Sequence, residues 1–188
     1  MPKKKPASKT TGKTVEEIVQ AKENEIRHQR FESAFVYDPH GNLVLGKDGG
    51  QYEVGFSPEE LGLMKGNILT HNHPRGLGFP DTDPRSWGNS FSDDDIFLAS
   101  THELAEIRAV TPKQRFSMKP PVEGWSQTYW EETILPTLVE TNRAVIVDFG
   151  QQFELYQMTK AEVEAEHWHE VWSRISSKLG LKYTREGD

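Results

Sequence analysis

One short stretch decides the predicted fold, and it reads Asn67-Ile68-Leu69-Thr70-His71-Asn72-His73-Pro74. Its apolar and β-branched start is typical of a buried strand, which the proline then ends. Side chains two positions apart on a strand point to the same side. His71 and His73 therefore present two imidazoles to one point, while Asn72 faces away. Two imidazoles placed in this way can chelate one cation.

A helix start downstream offers a third ligand for such a cation. Zinc in catalytic sites usually takes three protein ligands and leaves its fourth position to water. The nearest acid-rich segment is Ser92-Asp93-Asp94-Asp95, which begins a predicted helix. Ser92 and Asp95 also have the spacing of a helix cap and its partner, and acids stabilise a first helical turn in any case. The two interpretations are compatible, because a capped helix start is a rigid place to mount a ligand.

The composition restricts the kind of protein and the kind of metal site. A chain of 188 residues, 35% of them hydrophobic, suits one domain with an appendage, and its apolar runs are too short to span a bilayer. The absence of cysteine excludes disulfide scaffolds, thiolate zinc fingers, iron–sulfur clusters and cysteine nucleophiles. Any metal is therefore expected to be held by imidazole and carboxylate. The start of the chain does not read as a signal peptide, which predicts a cytoplasmic protein.

Charge is unevenly distributed along the chain. Residues 1–13 carry five lysines and no acid, so residues 14–188 have a net charge of −12 against −7 for the whole. We expect 1–13 to be a disordered basic tail, 14–122 to form the core that carries the candidate metal site, and 123–188 to be a C-terminal extension packed on that core. The acidic body disfavours a nucleic-acid groove, and no membrane partner is expected.

Hydrophobic periodicity and capping signals predict an alternating α/β order. Helices are expected over about 15–30, from Ser57 to Gly66, from Ser92, around 126–142 with a kink at Pro136, and from Thr159 to Gly180. Besides the 67–74 stretch, short strands are expected at 33–37, 43–45, 52–56, 107–110, 115–118, 144–149 and 153–158.

The two histidines and the helix start resemble the JAMM metalloproteases, also called the JAB or MPN-plus family. The resemblance is to their RadC-like bacterial and phage branch. The family pattern is an upstream Glu, then His-x-His-Pro, then Ser-x-x-Asp, and here 71–74 and 92–95 match the later parts. The resemblance covers roughly 32–118. It implies an α/β fold with an MPN-like mixed, curved sheet flanked by helices, followed by a helical or hairpin extension.

The resemblance also implies roles for individual residues. One zinc ion per chain would be bound by His71, His73 and Asp95, and Ser92 would help to hold the oxyanion. The upstream glutamate would activate the bound water. We favour Glu32 for this role because it leads into the strand expected beside the metal site. The alternatives for the base are Glu53, Glu59 and Glu60.

The spacing departs from the family pattern in one respect. Eighteen residues separate His73 from Ser92, whereas the family usually has a short spacer. We interpret 75–91 as an inserted loop. Its glycines and prolines, with Arg75, Arg85 and Trp87, suit a rim or lid over the cleft.

The implied reaction is hydrolysis of a peptide or isopeptide bond by metal-activated water, with no covalent intermediate. The partner is then a protein or peptide substrate, and ubiquitin-like and phage proteins are among the candidates. One alternative is a catalytically idle MPN-type docking module. Another is a metal-dependent nuclease or DNA-associated RadC-like protein, which the acidic body weakens. The sequence does not predict the oligomeric state.

A second His-x-His pair, His167 and His169, lies on a predicted helix. Helical positions two apart diverge by about 200°, so these rings are not expected to share a cation. Trp168 and Trp172 of the same helix are predicted to lie in the core.

Overall fold

The computed structural model describes residues 12–187. The helices of this region are α1 (Val15–Ile26), α2 (Pro58–Leu61), α3 (Asp93–Thr101), α4 (Gln127–Tyr129), α5 (Leu135–Glu154) and α6 (Lys160–Leu179). The strands are β1 (Ser33–Tyr37), β2 (Leu43–Asp48), β3 (Ile68–Asn72), β4 (Glu106–Val110), β5 (Gln114–Lys119) and β6 (Lys182–Gly187). Short 3-10 turns lie at Pro74–Gly78 and Pro84–Trp87. The predicted basic tail, 1–13, falls almost wholly outside the described residues.

The six strands form one open mixed sheet in the order β2-β1-β3-β4-β5-β6. Strands β3 and β4 are parallel, and each of the other neighbouring pairs is antiparallel. The predicted mixed α/β class is therefore confirmed. Strand β3 lies inside the sheet between β1 and β4, so the histidines at its end are supported from both sides. No helix in the part described has the length and apolar content needed to cross a membrane.

Capping residues begin the helices where the sequence predicts. Thr14, Ser57, Ser92 and Thr159 each form a capping box with the acid three residues later. Each side chain accepts a hydrogen bond from a backbone N–H that has no helical partner, which stabilises the helix start. Helix α6 ends at Gly180, whose left-handed conformation closes the last turn.

The main hydrophobic core lies on the sheet face that carries His71. Inward side chains of β1, β3, β4 and β5 pack there against α3, α5 and α6. Trp172 of α6 is fully buried, and its indole Nε1 donates a hydrogen bond of 2.8 Å to the carbonyl of Phe91. This bond fixes the backbone immediately before Ser92. The C-terminal part of the chain therefore supports the start of α3.

The opposite face is covered by α1 and holds a buried network of charged side chains. Glu23 is 1% exposed and accepts hydrogen bonds from Arg108 Nε at 2.7 Å, Arg115 Nε at 3.1 Å and the hydroxyl of Thr70 at 3.1 Å. Arg108 also pairs with Glu106 at 2.9 Å. A buried ion is tolerated only when it is paired and hydrogen-bonded, and this carboxylate meets both conditions.

Three strand predictions are wrong. The stretches 144–149 and 153–158 lie within or just after α5, so the two expected strands are replaced by a long helix and the turn that follows it. Val145 and Phe149 are buried one turn apart, and this helical burial overrides the strand preference of the β-branched run. The stretch 52–56 has no strand partner and runs as irregular chain beside the sheet.

Two further features of the C-terminal part differ from expectation. The helical run around 126–142 continues to Glu154, and a π-helical turn at Trp130–Ile134 precedes Pro136. The wider π-helical turn accommodates Pro136, which has no N–H and whose ring would clash with a carbonyl of the preceding turn in a regular α-helix. Strand β6 was not predicted, and it extends the sheet by pairing with β5.

Candidate metal centre

Two elements bring three ligand groups together at the end of β3. His71 lies on β3, His73 follows the strand directly, and Asp95 lies in the first turn of α3. The two Nε2 atoms are 2.8 Å apart. The carboxylate oxygens of Asp95 lie 3.2 Å from His71 Nε2 and 3.5 Å from His73 Nε2. These three residues form a cluster that could hold a metal ion, as the sequence predicted.

The spacing of these atoms can be compared with a tetrahedral site. With zinc–nitrogen distances of about 2.0–2.1 Å, neighbouring ligand atoms of a regular tetrahedron lie roughly 3.3–3.4 Å apart. The two distances, each from a different oxygen of Asp95, lie within about 0.2 Å of that value, and the distance between the imidazole nitrogens is about half an ångström shorter. A tetrahedral ion would therefore require the two imidazole nitrogens to move apart by about half an ångström.

The second ring nitrogen of each histidine is in a different environment. His73 Nδ1 lies 3.0 Å from the carbonyl oxygen of Asn89, which can only accept, so Nδ1 carries the proton. In the neutral ring, Nε2 then directs its lone pair at the cluster. A carbonyl that fixes the tautomer in this way is typical of metal-binding histidines. His71 Nδ1 is buried and has no hydrogen-bond partner among residues 12–187.

Asp95 is held by the cap of its own helix. The Ser92 hydroxyl and backbone N–H both donate to Asp95 Oδ2, at 2.8 and 2.7 Å. Asp95 N–H donates back to the Ser92 hydroxyl oxygen at 3.2 Å. The helix-cap and ligand interpretations of these residues are therefore compatible, because the same carboxylate closes the cap and faces both imidazoles.

The pKa values of two side chains in the cluster are strongly shifted. Burial disfavours the ionised form of Asp95, but the facing imidazoles outweigh it and hold the pKa of this carboxyl well below its usual range. Burial also disfavours protonation of His73, but the Asp95 carboxylate and the Asn89 carbonyl outweigh it and raise the pKa of His73 to about 9. The site thus stabilises positive charge between its side chains, which is the electrostatic requirement for binding a cation.

Glu32 lies at the edge of the same cleft. Ala34 pairs with His71 in the β1–β3 ladder, so Glu32, two residues earlier, points to the face that carries the two histidines. Burial raises the pKa of Glu32, and the nearby Asp95 and Glu53 carboxylates add to this, although the imidazoles oppose it. A carboxyl with a raised pKa beside a metal cluster has the properties of a general base.

Asn72 has a positioning role that was not assigned from the sequence. Its side chain is fully buried and faces away from the cluster, as expected. The amide oxygen accepts from Ser33 N–H at 2.7 Å, and the amide nitrogen donates to the Phe31 carbonyl at 2.9 Å. These bonds hold the backbone on both sides of Glu32. The residue between the two histidines therefore fixes the segment that carries the candidate base.

An open cleft of about 550 Å³ gives access to the cluster. Glu32, His73, Ser92 and Asp95 line it, together with side chains from distant parts of the chain. Pro74 and Arg75 follow His73 directly, Asn89 and Ser90 lie just before Ser92, and the distant residues are Tyr52 and Trp168. Tyr52 and Trp168 have no motif that would mark them, because only the folded chain brings them to the cleft.

The 75–91 loop forms part of the rim of the cleft and is attached at several points. Arg85 pairs with Asp83 at 2.7 Å and with Glu164 of α6 at 3.3 Å. Gly88 has a φ of +81°, and a Cβ there would lie 2.6 Å from Cβ of Thr111. Glycine is therefore required where the loop passes β4.

The other candidate residues lie in different environments. Glu53 lines an adjoining groove of about 250 Å³ that also reaches His71. Glu59 and Glu60 are occupied at the start of α2, where Glu60 also pairs with Lys47 at 2.7 Å.

The second His-x-His pair has separate partners. His167 Nε2 contacts Asn142 at 2.8 Å, and His169 Nδ1 contacts the Tyr183 hydroxyl at 3.0 Å. As expected, the two rings do not share a binding point.

Comparison with known proteins adds no assignment to this geometry. No protein-family model, curated protein or solved structure was found to match the chain.

Proposed function

We propose that the chain is a zinc-dependent metallopeptidase of the JAMM type, which hydrolyses a peptide or isopeptide bond. The observation that carries the proposal is the convergence of His71, His73 and Asp95 on one point, with a carboxyl of raised pKa at the edge of the same cleft. Metal ligands alone are compatible with many activities. Ligands together with a candidate base and an open cleft favour a hydrolase.

Zinc is the metal that suits this donor set best. Two imidazoles and one carboxylate are a common set for catalytic zinc, and they leave one position open. The protonated Nδ1 of His73 fits this assignment because it leaves Nε2 free to bind. When bound, zinc lowers the pKa of a water molecule and polarises the scissile carbonyl.

Glu32 would move the proton in the proposed reaction. Its ionised form can take a proton from a water molecule in the cleft, and its protonated form can pass that proton to the leaving amine. A raised pKa serves the second task because the carboxyl must hold the proton long enough to donate it. The backbone contacts of Asn72 keep this carboxyl at the cleft edge.

Ser92 would stabilise negative charge on the carbonyl oxygen. Its hydroxyl donates to Asp95 at 2.8 Å in the structure. To donate to an oxyanion, the hydroxyl must turn from Asp95 into the cleft, which it also lines. The backbone N–H of Ser92 would still hold Asp95 after this rotation, at 2.7 Å.

The test of the proposal compares two substitutions of similar chemistry. Glu32→Gln should keep one zinc per chain but lower hydrolysis of a mixed library of quenched fluorescent peptides by about a hundredfold or more. Glu59→Gln is the matched control, since Glu59 is an exposed acid at the start of α2, and it should stay within a fewfold of the unmodified protein.

The same assays identify the outcomes that reject the proposal. Undiminished hydrolysis by Glu32→Gln would show that the base lies elsewhere. An unmodified protein that binds zinc but cleaves neither peptides nor isopeptide-linked conjugates would reject the peptidase assignment. Metal-dependent cleavage of plasmid DNA without peptide cleavage would replace it with a nuclease.

A further inference from the structure

A narrower groove continues the metal cleft on one side. Its volume is about 130 Å³, and it shares Tyr52, Pro74 and Arg75 with the metal cleft. Arg30, between α1 and β1, also lines it. An extended chain lying across the metal centre can therefore run past Tyr52 and into a groove that holds two guanidinium groups.

These two arginines differ from most other arginines of the protein. Arg85, Arg108, Arg174 and Arg185 each pair with one or more carboxylates. Arg30 and Arg75 are exposed, and within residues 12–187 neither makes an ion pair or a side-chain hydrogen bond. The chain has 29 acidic against 22 basic side chains, so carboxylate partners are abundant. Two unpaired guanidinium groups in one groove indicate a binding site for an external anion.

The chemistry of the groove favours a carboxylate on a peptide. A guanidinium group binds a carboxylate through two parallel hydrogen bonds, and two such groups in one groove strengthen the attraction. Tyr52 is 66% exposed and offers an aromatic surface against which the peptide backbone can lie. A nucleic acid is disfavoured, because the −12 charge of residues 14–188 repels a polyanion over its whole length.

We propose that Arg30 and Arg75 form a subsite for an acidic side chain of the peptide substrate, next to the bond that is cut. This inference rests on the proposed peptidase function and names its substrate class: peptides with Asp or Glu close to the scissile bond. Tyr52, shared by the two grooves, positions the chain between the subsite and the metal centre.

Binding is tested first, without hydrolysis. The probes are a blocked hexapeptide with two central glutamates and its counterpart with two glutamines, titrated into chelator-treated protein by calorimetry. At low salt the glutamate peptide should bind about tenfold more tightly, and the preference should shrink as salt is added.

Substitutions then locate the source of that preference. Arg30→Gln with Arg75→Gln should bind both peptides equally. Arg143→Gln is the matched control, because Arg143 is an exposed arginine on α5 with no ion pair in the described chain. It should retain the full preference. Equal binding of both peptides to the unmodified protein, or an equal loss in the control, would overturn the inference.

Further measurements separate this inference from the proposed function. With zinc bound, the glutamate peptides of a cleavage library should be cut about tenfold faster than the glutamine peptides. A binding preference without any hydrolysis would reject the peptidase and keep the subsite. Hydrolysis without a glutamate preference would reject the subsite alone. Tighter binding of a phosphoserine peptide or a single-stranded oligonucleotide than of the glutamate peptide would also overturn the assignment.

Discussion

Replacing Asp95 with asparagine separates the two roles of this carboxylate. The amide keeps the size of the side chain and an oxygen that can still accept from Ser92, so most of the helix cap remains. It removes the charge that faces the two imidazoles. Asp94→Asn is the matched control, because Asp94 is an exposed acid in the same helical turn. The control loses only the favourable interaction of its negative charge with the helix N-terminus, which contributes about 0.3–1 kcal/mol to stability.

The expected effect on stability can be estimated from the linkage between zinc binding and unfolding. Zinc at a hundred times its dissociation constant adds about 2.7 kcal/mol to the free energy of unfolding. For a protein of this size, that corresponds to a rise in Tm of roughly 5–10 °C. Loss of one of three ligands should weaken binding at least as much as loss of an outer-shell partner, which reaches about a hundredfold. At the same zinc concentration, Asp95→Asn should then gain only about 0.4 kcal/mol, or roughly 1 °C.

The assay is thermal unfolding followed by far-ultraviolet circular dichroism, with and without zinc, alongside measurement of bound zinc by mass spectrometry. The unmodified protein and Asp94→Asn should show the full zinc-induced rise in Tm. A full rise in Asp95→Asn would refute the assignment of Asp95 as a ligand. A loss of equal size in Asp94→Asn would show that helix charge, and not coordination, is responsible.

Three further predictions concern pH and stability. The raised pKa of His73 means that, without metal, its stabilising contribution is complete below about pH 6.5 and is lost as pH rises through about 9, by about 3 kcal/mol. Urea unfolding at several pH values should show this fall, and a flat profile would contradict it. Trp172→Phe should lower the free energy of unfolding by about 2–4 kcal/mol, because it shrinks a core side chain and leaves the buried Phe91 carbonyl without its partner. A change under about 0.5 kcal/mol in urea unfolding would contradict this and show that the surrounding core refills the space. Glu23→Gln should lower the free energy of unfolding by about 3 kcal/mol or more, because the buried Arg108 loses its closest counter-charge. Equal urea unfolding midpoints for the variant and the unmodified protein would contradict the described network.

Local signals made most of the site predictable. The alternation of a strand placed His71 and His73 on one side, and the capping box at Ser92 located the helix start that carries Asp95. Both signals act within a few residues, so sequence spacing alone determines them. The one long-range element of the site that the sequence indicated was Glu32, because it leads into the neighbouring strand.

The missed features depend on contacts between distant residues. Val145 lies in a run of β-branched and aromatic residues, and only packing of α5 against the core makes that run helical. Strand β6 is polar, with alternate residues half buried, so its apolar signal is weak. Asn72 contacts residues that lie 39 and 41 positions away, and no local pattern reports such a contact.

The position of β6 has a consequence for the order in which the protein can be assembled. Residues 182–187 pair with β5, more than sixty residues earlier, and Tyr183 holds the Ser90 side chain at the cleft through a 2.7 Å contact between hydroxyls. Tyr183 also stacks on Phe116 of β5, with the rings 6.4 Å apart. A nascent chain that has left the ribosome only as far as α5 already contains every candidate ligand, but it lacks this last strand and leaves β5 with an open edge. Ribosome-bound chains of increasing length should therefore acquire a complete cleft only after residue 187 has emerged.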